Sequence, residues 1–211
     1  YHKVRIFRTD VQAVCDSLVY SSKDSCLSLY TDPILWQGPQ QLLGEEIKVY
    51  MNDSTIDWAH IINQALAVEM NDSIHYNQVT GKEMKAFFRN GEMHQVDVDG
   101  NVLCIYYPVE EGDTTLMMMD YTESSHLRMV LKDRKLERGA FIGHTTGVVY
   151  PMDQIPADRL RLDAFAWFDY VRPRSKEDIF EWRGKGADAV LRKSDRKPIG
   201  SARDLNIKRK K

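Results

Sequence analysis

Asn90-Gly91 stands between two runs that alternate in the manner of β-strands. Before it, Met84, Ala86 and Phe88 fall on one face while Lys85 and Arg89 fall on the other; after it, Val96 and Val98 oppose Gln95, Asp97 and Asp99. Two alternating runs joined by Asn-Gly form the strongest short-range hairpin signal. A two-residue type I′ turn needs positive φ at both central positions, which Asn and Gly adopt at least cost. A chain built of such hairpins must bury its apolar strand faces against one another. Its fold class is therefore all-β.

The same design recurs along the sequence. Residues 13–20, 26–30, 33–36, 46–50, 55–58, 65–70, 84–88, 93–98, 102–107, 116–119, 127–131 and 148–150 read as short strands. Ser21-Ser22-Lys23-Asp24, Gly38-Pro39, Asn52-Asp53-Ser54, Asn71-Asp72-Ser73 and Glu111-Gly112-Asp113 read as the turns between them. Regular short strands with this punctuation predict a sandwich, barrel or solenoid. A loose repeat is visible in Asp16 to Tyr20, Leu27 to Tyr30 and Glu46 to Tyr50, each closing an apolar stretch on Tyr. Stacked repeats leave edge strands that need covering or become docking sites. The one fair α-helical stretch is 174–182, with Ser175 as cap and Asp178 three residues on; a second, shorter helix is expected from Asp188 to Lys193.

The 211 residues are 43% apolar and 28% charged, enough for one all-β domain or two small ones. No apolar run approaches the roughly 20 residues of a membrane-spanning helix. Tyr1-His2-Lys3-Val4 lacks an initiator Met, and the chain reads as a mature or trimmed product. The net charge of −2 conceals a split: from Lys185 onward there are ten basic residues against three acids, leaving 19 basic and 28 acidic before it. An acidic body over 1–183 is thus followed by a basic tail over 184–211, poor in apolar residues and expected to be a flexible, solvated segment. Duplex nucleic acid is not an expected partner, because the body repels it and no aromatics interleave with the basic residues.

Catalytic signatures are missing. His2, His60, His75, His94, His126 and His144 form no HExxH or i, i+4 pair, and there is no GxSxG, P-loop or GxGxxG. Ser125-His126 are sequence neighbours and face opposite ways on a strand. Glu45-Glu46 and Glu110-Glu111 sit beside turns, where solvated charge is the default, and no spacing selects a glycosidase pair. Cys15, Cys26 and Cys104 have no metal-ligand spacing; a Cys15–Cys26 bridge and three buried thiols both remain open. Asn52-Asp53-Ser54 and Asn71-Asp72-Ser73 match the glycosylation sequon but also read as turns. The expectation is a non-catalytic protein without metal or cofactor.

Several stretches taken in order resemble a known family. Asp16-Ser17-Leu18-Val19-Tyr20 and Leu43-Gly44-Glu45-Glu46-Ile47-Lys48-Val49-Tyr50 are similar to the repeating core of the OstA-like proteins, the lipopolysaccharide-transport family related to LptA. Gly81 to Phe88, followed by Val96 to Val102, resembles that family's later strands in the form typical of Bacteroidetes members. Tyr150 to Pro156 and Arg172 to Ile179 resemble the end of the module, and the likeness covers about residues 12–183. The resemblance implies an extended, twisted β-jellyroll of antiparallel strands with a minor C-terminal helix. It also implies a periplasmic location, a trough that shelters the acyl chains of lipopolysaccharide or lipid A during export to the outer membrane, and end-to-end strand pairing with other Lpt-type proteins or itself. The basic tail departs from the family pattern.

Alternation marks Leu27, Leu29, Ile47, Val49, Val96, Val98, Leu127, Met129 and Leu131 as inward-facing and so as the candidate lipid-binding lining. Met117, Met118 and Met119 add flexible side chains suited to variable acyl chains. Trp36, Trp58, Trp167 and Trp182 read as rim packing over a sheet end. A closed sandwich alternates identically, so a filled core and an open trough both stand. The alternative function is a structural β-sheet protein that recruits a partner by edge-strand pairing.

Overall fold

The computed structural model describes residues 3–53, 55–109, 115–133 and 135–181. The predicted basic tail, Trp182 and the expected Asp188–Lys193 helix lie outside the described residues. The strands are β1 (Val4–Phe7), β2 (Val11–Cys15), β3 (Ser17–Ser21), β4 (Cys26–Tyr30), β5 (Ile34–Gln37), β6 (Gln40–Leu43) and β7 (Glu46–Asn52). They continue as β8 (Thr55–Met70), β9 (Tyr76–Arg89), β10 (Glu92–Tyr106), β11 (Met118–Lys132), β12 (Lys135–Ile142) and β13 (Thr146–Pro151). They form one 13-stranded antiparallel network. The Asn90-Gly91 turn has φ of 54° and 79°, as a type I′ hairpin requires.

The network is folded along a line of irregular residues. The four long strands β8 to β11 each cross that line, and the shorter strands pair with one half only. β7 pairs the first half of β8 and β6 the second; β12 pairs the second half of β11 and β13 the first. One leaf is therefore β3-β4-β7-β8-β9-β10-β11-β12, and the other is β1-β2-β5-β6-β8-β9-β10-β11-β13. Register shifts mark the crossing at Ile62/Ala65 and Asp99/Val102. Left-handed residues supply the bend: Asn63 and Gln64 in β8 (φ 55° and 49°), and Gly100 and Asn101 in β10 (φ 80° and 53°). Asn tolerates this region better than most side chains, and an extra residue inserted there bends the strand. The Glu45 carboxylate ties the β8 bulge by accepting from Gln64 Nε2 at 2.9 Å and Asn63 Nδ2 at 3.2 Å.

On the alternate strand β9 the crossing residue is Gly81. A Cβ there would lie 2.4 Å from Val98 Cγ1 and 3.2 Å from the Asp99 carbonyl oxygen. Gly81→Val is expected to lower stability by about 3 kcal/mol, the upper end of overpacking costs, because one of the two obstacles is backbone. Urea unfolding measures it; an unchanged midpoint would mean that the leaves do not close on each other at this point.

Both faces of the second leaf are buried over its central strands. Its inner face meets the first leaf in the main cluster, which joins Val11, Ala13, Leu35, Leu42 and Val79 to Leu29, Ile47, Met84 and Val98. Its outer face is covered by the segment from residue 152 to 181, which runs back across the sheet. Phe168 and Val171 pack there on Val14, Ile34, Trp36, Leu43 and Leu66, while Leu162 packs on Leu103, Ile105, Tyr107 and Met119. This covering explains why β2, β5 and β6 are buried along nearly their whole length.

The covering segment is held by glutamines on the outer face. Gln41 accepts from the Phe168 N–H at 2.8 Å and donates to the Ala166 carbonyl at 2.8 Å. Gln78 does the same for Leu162 (2.9 Å) and Leu160 (3.0 Å). Arg172 Nε donates to Gln12 Oε1 at 2.8 Å.

The predicted 174–182 helix is a single 3-10 turn, Glu177–Phe180. The capping residues behave as the sequence suggests, with Ser175 Oγ accepting from Glu177 and Asp178 N–H and the Asp178 carboxylate accepting from the Arg174 N–H. The turn ends at Glu181, whose backbone is already extended (φ −100°, ψ 107°).

Candidate functional site

Two rows of side chains line the inner face of the first leaf. One runs Leu18, Leu29, Ile47, Ile61, Met84, Val98, Leu127, Phe141 across successive strands. The next runs Tyr20, Leu27, Val49, Ala59, Ala86, Val96, Met129, Gly139. Every lining residue predicted from alternation lies in these rows or, for Leu131, just beyond them, opposite Leu136. All belong to one packed cluster or its half-buried margin.

The interior is not uniform. Toward β4 and β7 it is filled: Leu29, Ile47 and Val98 are at most 1% exposed and packed by neighbouring side chains. Toward β10, β11 and β12 the leaves part around a trough of about 980 Å³. Its first wall is Met84, Met93, Val96, Leu127 and Met129, with Leu131, Leu136 and Phe141 at the mouth. Its second wall is Leu42, Ala67, Val79, Cys104 and Tyr106. Of the predicted lining residues, Val96, Leu127, Met129 and Leu131 line this space, whereas Leu27, Leu29, Ile47, Val49 and Val98 belong to the filled part.

Residues on the second wall were not anticipated. Its strands carry small or polar partners, as in the pairs Cys104–Thr122 and Thr122–Gly147, and these break the alternation that revealed the first wall. The methionine expectation is corrected too. Met119 is fully buried on the outer face beneath Leu162, Met117 and Met118 are exposed, and the methionines on the trough are Met70, Met84, Met93 and Met129. Trp36 is likewise not a rim residue: it is wholly buried at mid-sheet, donating to Gln41 Oε1 at 3.2 Å. Trp58 stacks on Tyr50 at 4.1 Å on the solvent side of the first leaf.

Polar groups gather at the trough's two lips. On the second leaf, Gln40, Glu69 and Asn77 form a row, with Asp120 beside Tyr106 further along. On the first leaf, Lys132, Asp133, Lys135 and Glu137 occupy the β11–β12 hairpin. Away from the trough, Gln37 Nε2 of β5 donates to the Gly91 carbonyl of the β9–β10 hairpin at 3.2 Å, joining the two leaves. Beside the second lip, His75 Nδ1 lies 2.7 Å from the Asp72 carboxylate, whose pKa is lowered to about 2, chiefly by that bond. A lowered carboxylate pKa stabilises the fold above its unfolded value of 3.8, and the contribution fades as pH falls through about 2. Exposure of Asp72 keeps it small.

Burial pushes the Cys104 thiol up to about 12, with the Asp120 charge adding to the effect. Cys15, Cys26 and Cys104 are all free and buried, which decides between the two cysteine readings in favour of thiols. Ellman's reagent is expected to find no fast-reacting thiol in the native chain and all of them in denaturant. Rapid native reaction at Cys104 would mean that the reagent enters the trough and reaches the thiol on its second wall. No group of ligands suited to a metal ion exists among the described residues.

No protein-family model matches the sequence, and no curated protein matches it either. Among solved structures the chain is similar to LptH, the LptA-homologous periplasmic component of the conserved lipopolysaccharide transport device from Pseudomonas aeruginosa. The TM-score is 0.50 at 12% identity, over 67% of this chain and 95% of that one. At that identity the likeness is one of architecture: the chain has the LptA-like all-β fold that the order of its strand motifs implies.

Proposed function

We propose that this chain is a non-catalytic carrier that shelters the acyl chains of a lipopolysaccharide-type lipid in its trough during passage through the periplasm. The observation that carries the reading is an open trough between two sheets whose facing walls are mainly apolar side chains, with charged groups gathered toward its lips. The likeness in fold to a periplasmic transport component supports it. So does the chemistry of the walls, since each methylene moved out of water contributes about 0.8 kcal/mol and nothing reactive is needed. No helix among the described residues is long and apolar enough to cross a membrane.

Wild-type protein incubated with lipid A and re-isolated by size exclusion is expected to retain it at near-stoichiometric yield, read by mass spectrometry. Absence of any retained lipid would overturn the reading.

The free edges favour a second, compatible role in docking. β1 and β3 end the two leaves on one side, and β12 and β13 end them on the other. Val19, Tyr20, Val148 and Val149 on these edges are all more than half exposed. Edge strands with no further strand partner among the described residues, carrying exposed Val and Tyr side chains, suit strand addition by another Lpt-type protein or a second copy.

A further inference from the structure

The trough reaches one end of the paired leaves and stops short of the other. Its walls come from β6, from β8 to β12 and from the turns between them; among the described residues, no side chain of β1 to β5 or of β7 borders it. At that other end the leaves are closed by packing. Cys15, Leu29, Ile47 and Ile61 are almost wholly buried between them, and Val4, Ile6 and Leu18 of the edge strands β1 and β3 pack against the same cluster. Arg5 pins β1 in place, donating from Nη1 to the Glu181 carbonyl at 2.7 Å and from Nη2 to the Val171 carbonyl at 3.3 Å.

Two glycines report the same contrast. Gly44 stands at the β6–β7 crossover beside the filled part, where a Cβ would lie 2.5 Å from Ile61 Cγ2 and 3.3 Å from the Ile62 carbonyl oxygen. Gly139 ends an inner row at the β12 edge, where a Cβ would meet nothing closer than Leu136 Cδ2 at 4.0 Å. Around it Leu136 and Phe141 are half-buried, and Gly139 itself is exposed. An acyl chain leaving toward β3 would have to displace side chains packed as densely as a crystal, whereas one leaving past β12 enters open space.

We infer that cargo enters and leaves only by the mouth beside β12, so that the chain is a blind carrier rather than one section of a through-passage. The inference rests on the lipid-carrier reading and gives it a direction. Of the two sheet edges suited to strand addition, only that of β12 and β13 leads to the cargo, and a partner that hands over or receives lipid seats there. A partner on β1 or β3 holds the chain in place without exchanging lipid with it.

Gly139→Trp in the full chain narrows the mouth without touching the filled end. It is expected to slow both the uptake of fluorescently labelled lipid A and its release to unlabelled lipid A by about tenfold or more, because the ring has to swing aside at each passage. Its circular dichroism spectrum and thermal midpoint should match wild type. Leu18→Trp, which adds bulk at the β3 edge instead, should leave both rates within about twofold of wild type. Independently, p-benzoylphenylalanine in place of Phe141 should photocrosslink to lipid A, and in place of Leu18 should not. Wild-type exchange rates in a folded Gly139→Trp variant, equal slowing in a folded Leu18→Trp variant, or a lipid crosslink from the Leu18 position would overturn the inference and leave the carrier reading standing. Failure of wild-type protein to take up lipid A at all would overturn the inference and the carrier reading together.

Discussion

Met129→Asp is expected to abolish lipid retention in a chain that still folds, and Ile47→Asp is expected to prevent folding. The two side chains lie on adjacent inner rows of the same leaf, and alternation alone makes them equivalent. Their surroundings differ. Met129 is half-buried and borders the open trough, so a carboxylate there keeps access to water when the trough is empty. It loses that access when acyl chains fill the space. The unpaired charge then costs the complex about 3 kcal/mol or more, over a hundredfold in affinity.

Ile47 is completely buried in the filled part of the interior. Replacing it removes a packed side chain and leaves an ion with no partner and no solvent. The combined cost exceeds about 5 kcal/mol, which reaches the whole stability of a small domain. Circular dichroism with lipid retention on each variant separates the cases. A folded Met129→Asp variant that retains lipid at the wild-type yield would remove the trough from the mechanism. A folded, lipid-free Ile47→Asp variant would mean that the cargo path runs the full length of the leaves.

That contrast marks where the sequence was readable. The first leaf has solvent on one face and the interior on the other, so its strands alternate cleanly and Val96, Val98, Leu127 and Met129 could be assigned in advance. Its hairpin at Asn90-Gly91 was legible for the same reason. The central strands of the second leaf are covered on both faces, and Val11 to Cys15 (broken only by Gln12) and Ile34 to Trp36 read as apolar runs with no clear inner and outer side.

The long strands were read as pairs of short ones. Asn63-Gln64 and Gly100-Asn101 have the residue types of turns yet form bulges inside β8 and β10. A left-handed pair is chemically the same in both settings, and only the register of the flanking strands distinguishes them. β12 escaped notice because its edge position leaves it mostly exposed, so Lys135 to Ile142 has no apolar face to announce it. Nor could local pattern disclose where the predicted lining stops being trough and becomes core, since that depends on how far the leaves part.

Gln41→Ala is expected to cost about 4 kcal/mol or more, an unusually large effect for a polar residue on the outer face of a sheet. Gln41 is fully buried, and its amide serves three partners: the Trp36 indole N–H, the Phe168 N–H and the Ala166 carbonyl. Truncation strands all of them away from water, at about 1–3 kcal/mol for each group left unsatisfied. It also opens a void under Phe168.

Gln41→Glu discriminates between lost packing and lost hydrogen bonding. It keeps the shape and one accepting oxygen but sets a second oxygen against the Ala166 carbonyl, so it should be nearly as damaging as alanine. Both variants should release the covering segment before the leaves unfold, seen as early hydrogen exchange at Leu162, Phe168 and Val171 while β9 and β10 stay protected. A glutamate variant of wild-type stability would show that apolar contact alone holds the segment. The outer-face glutamines would then be incidental, and the second leaf would owe its rigidity to Trp36, Phe168 and Val171.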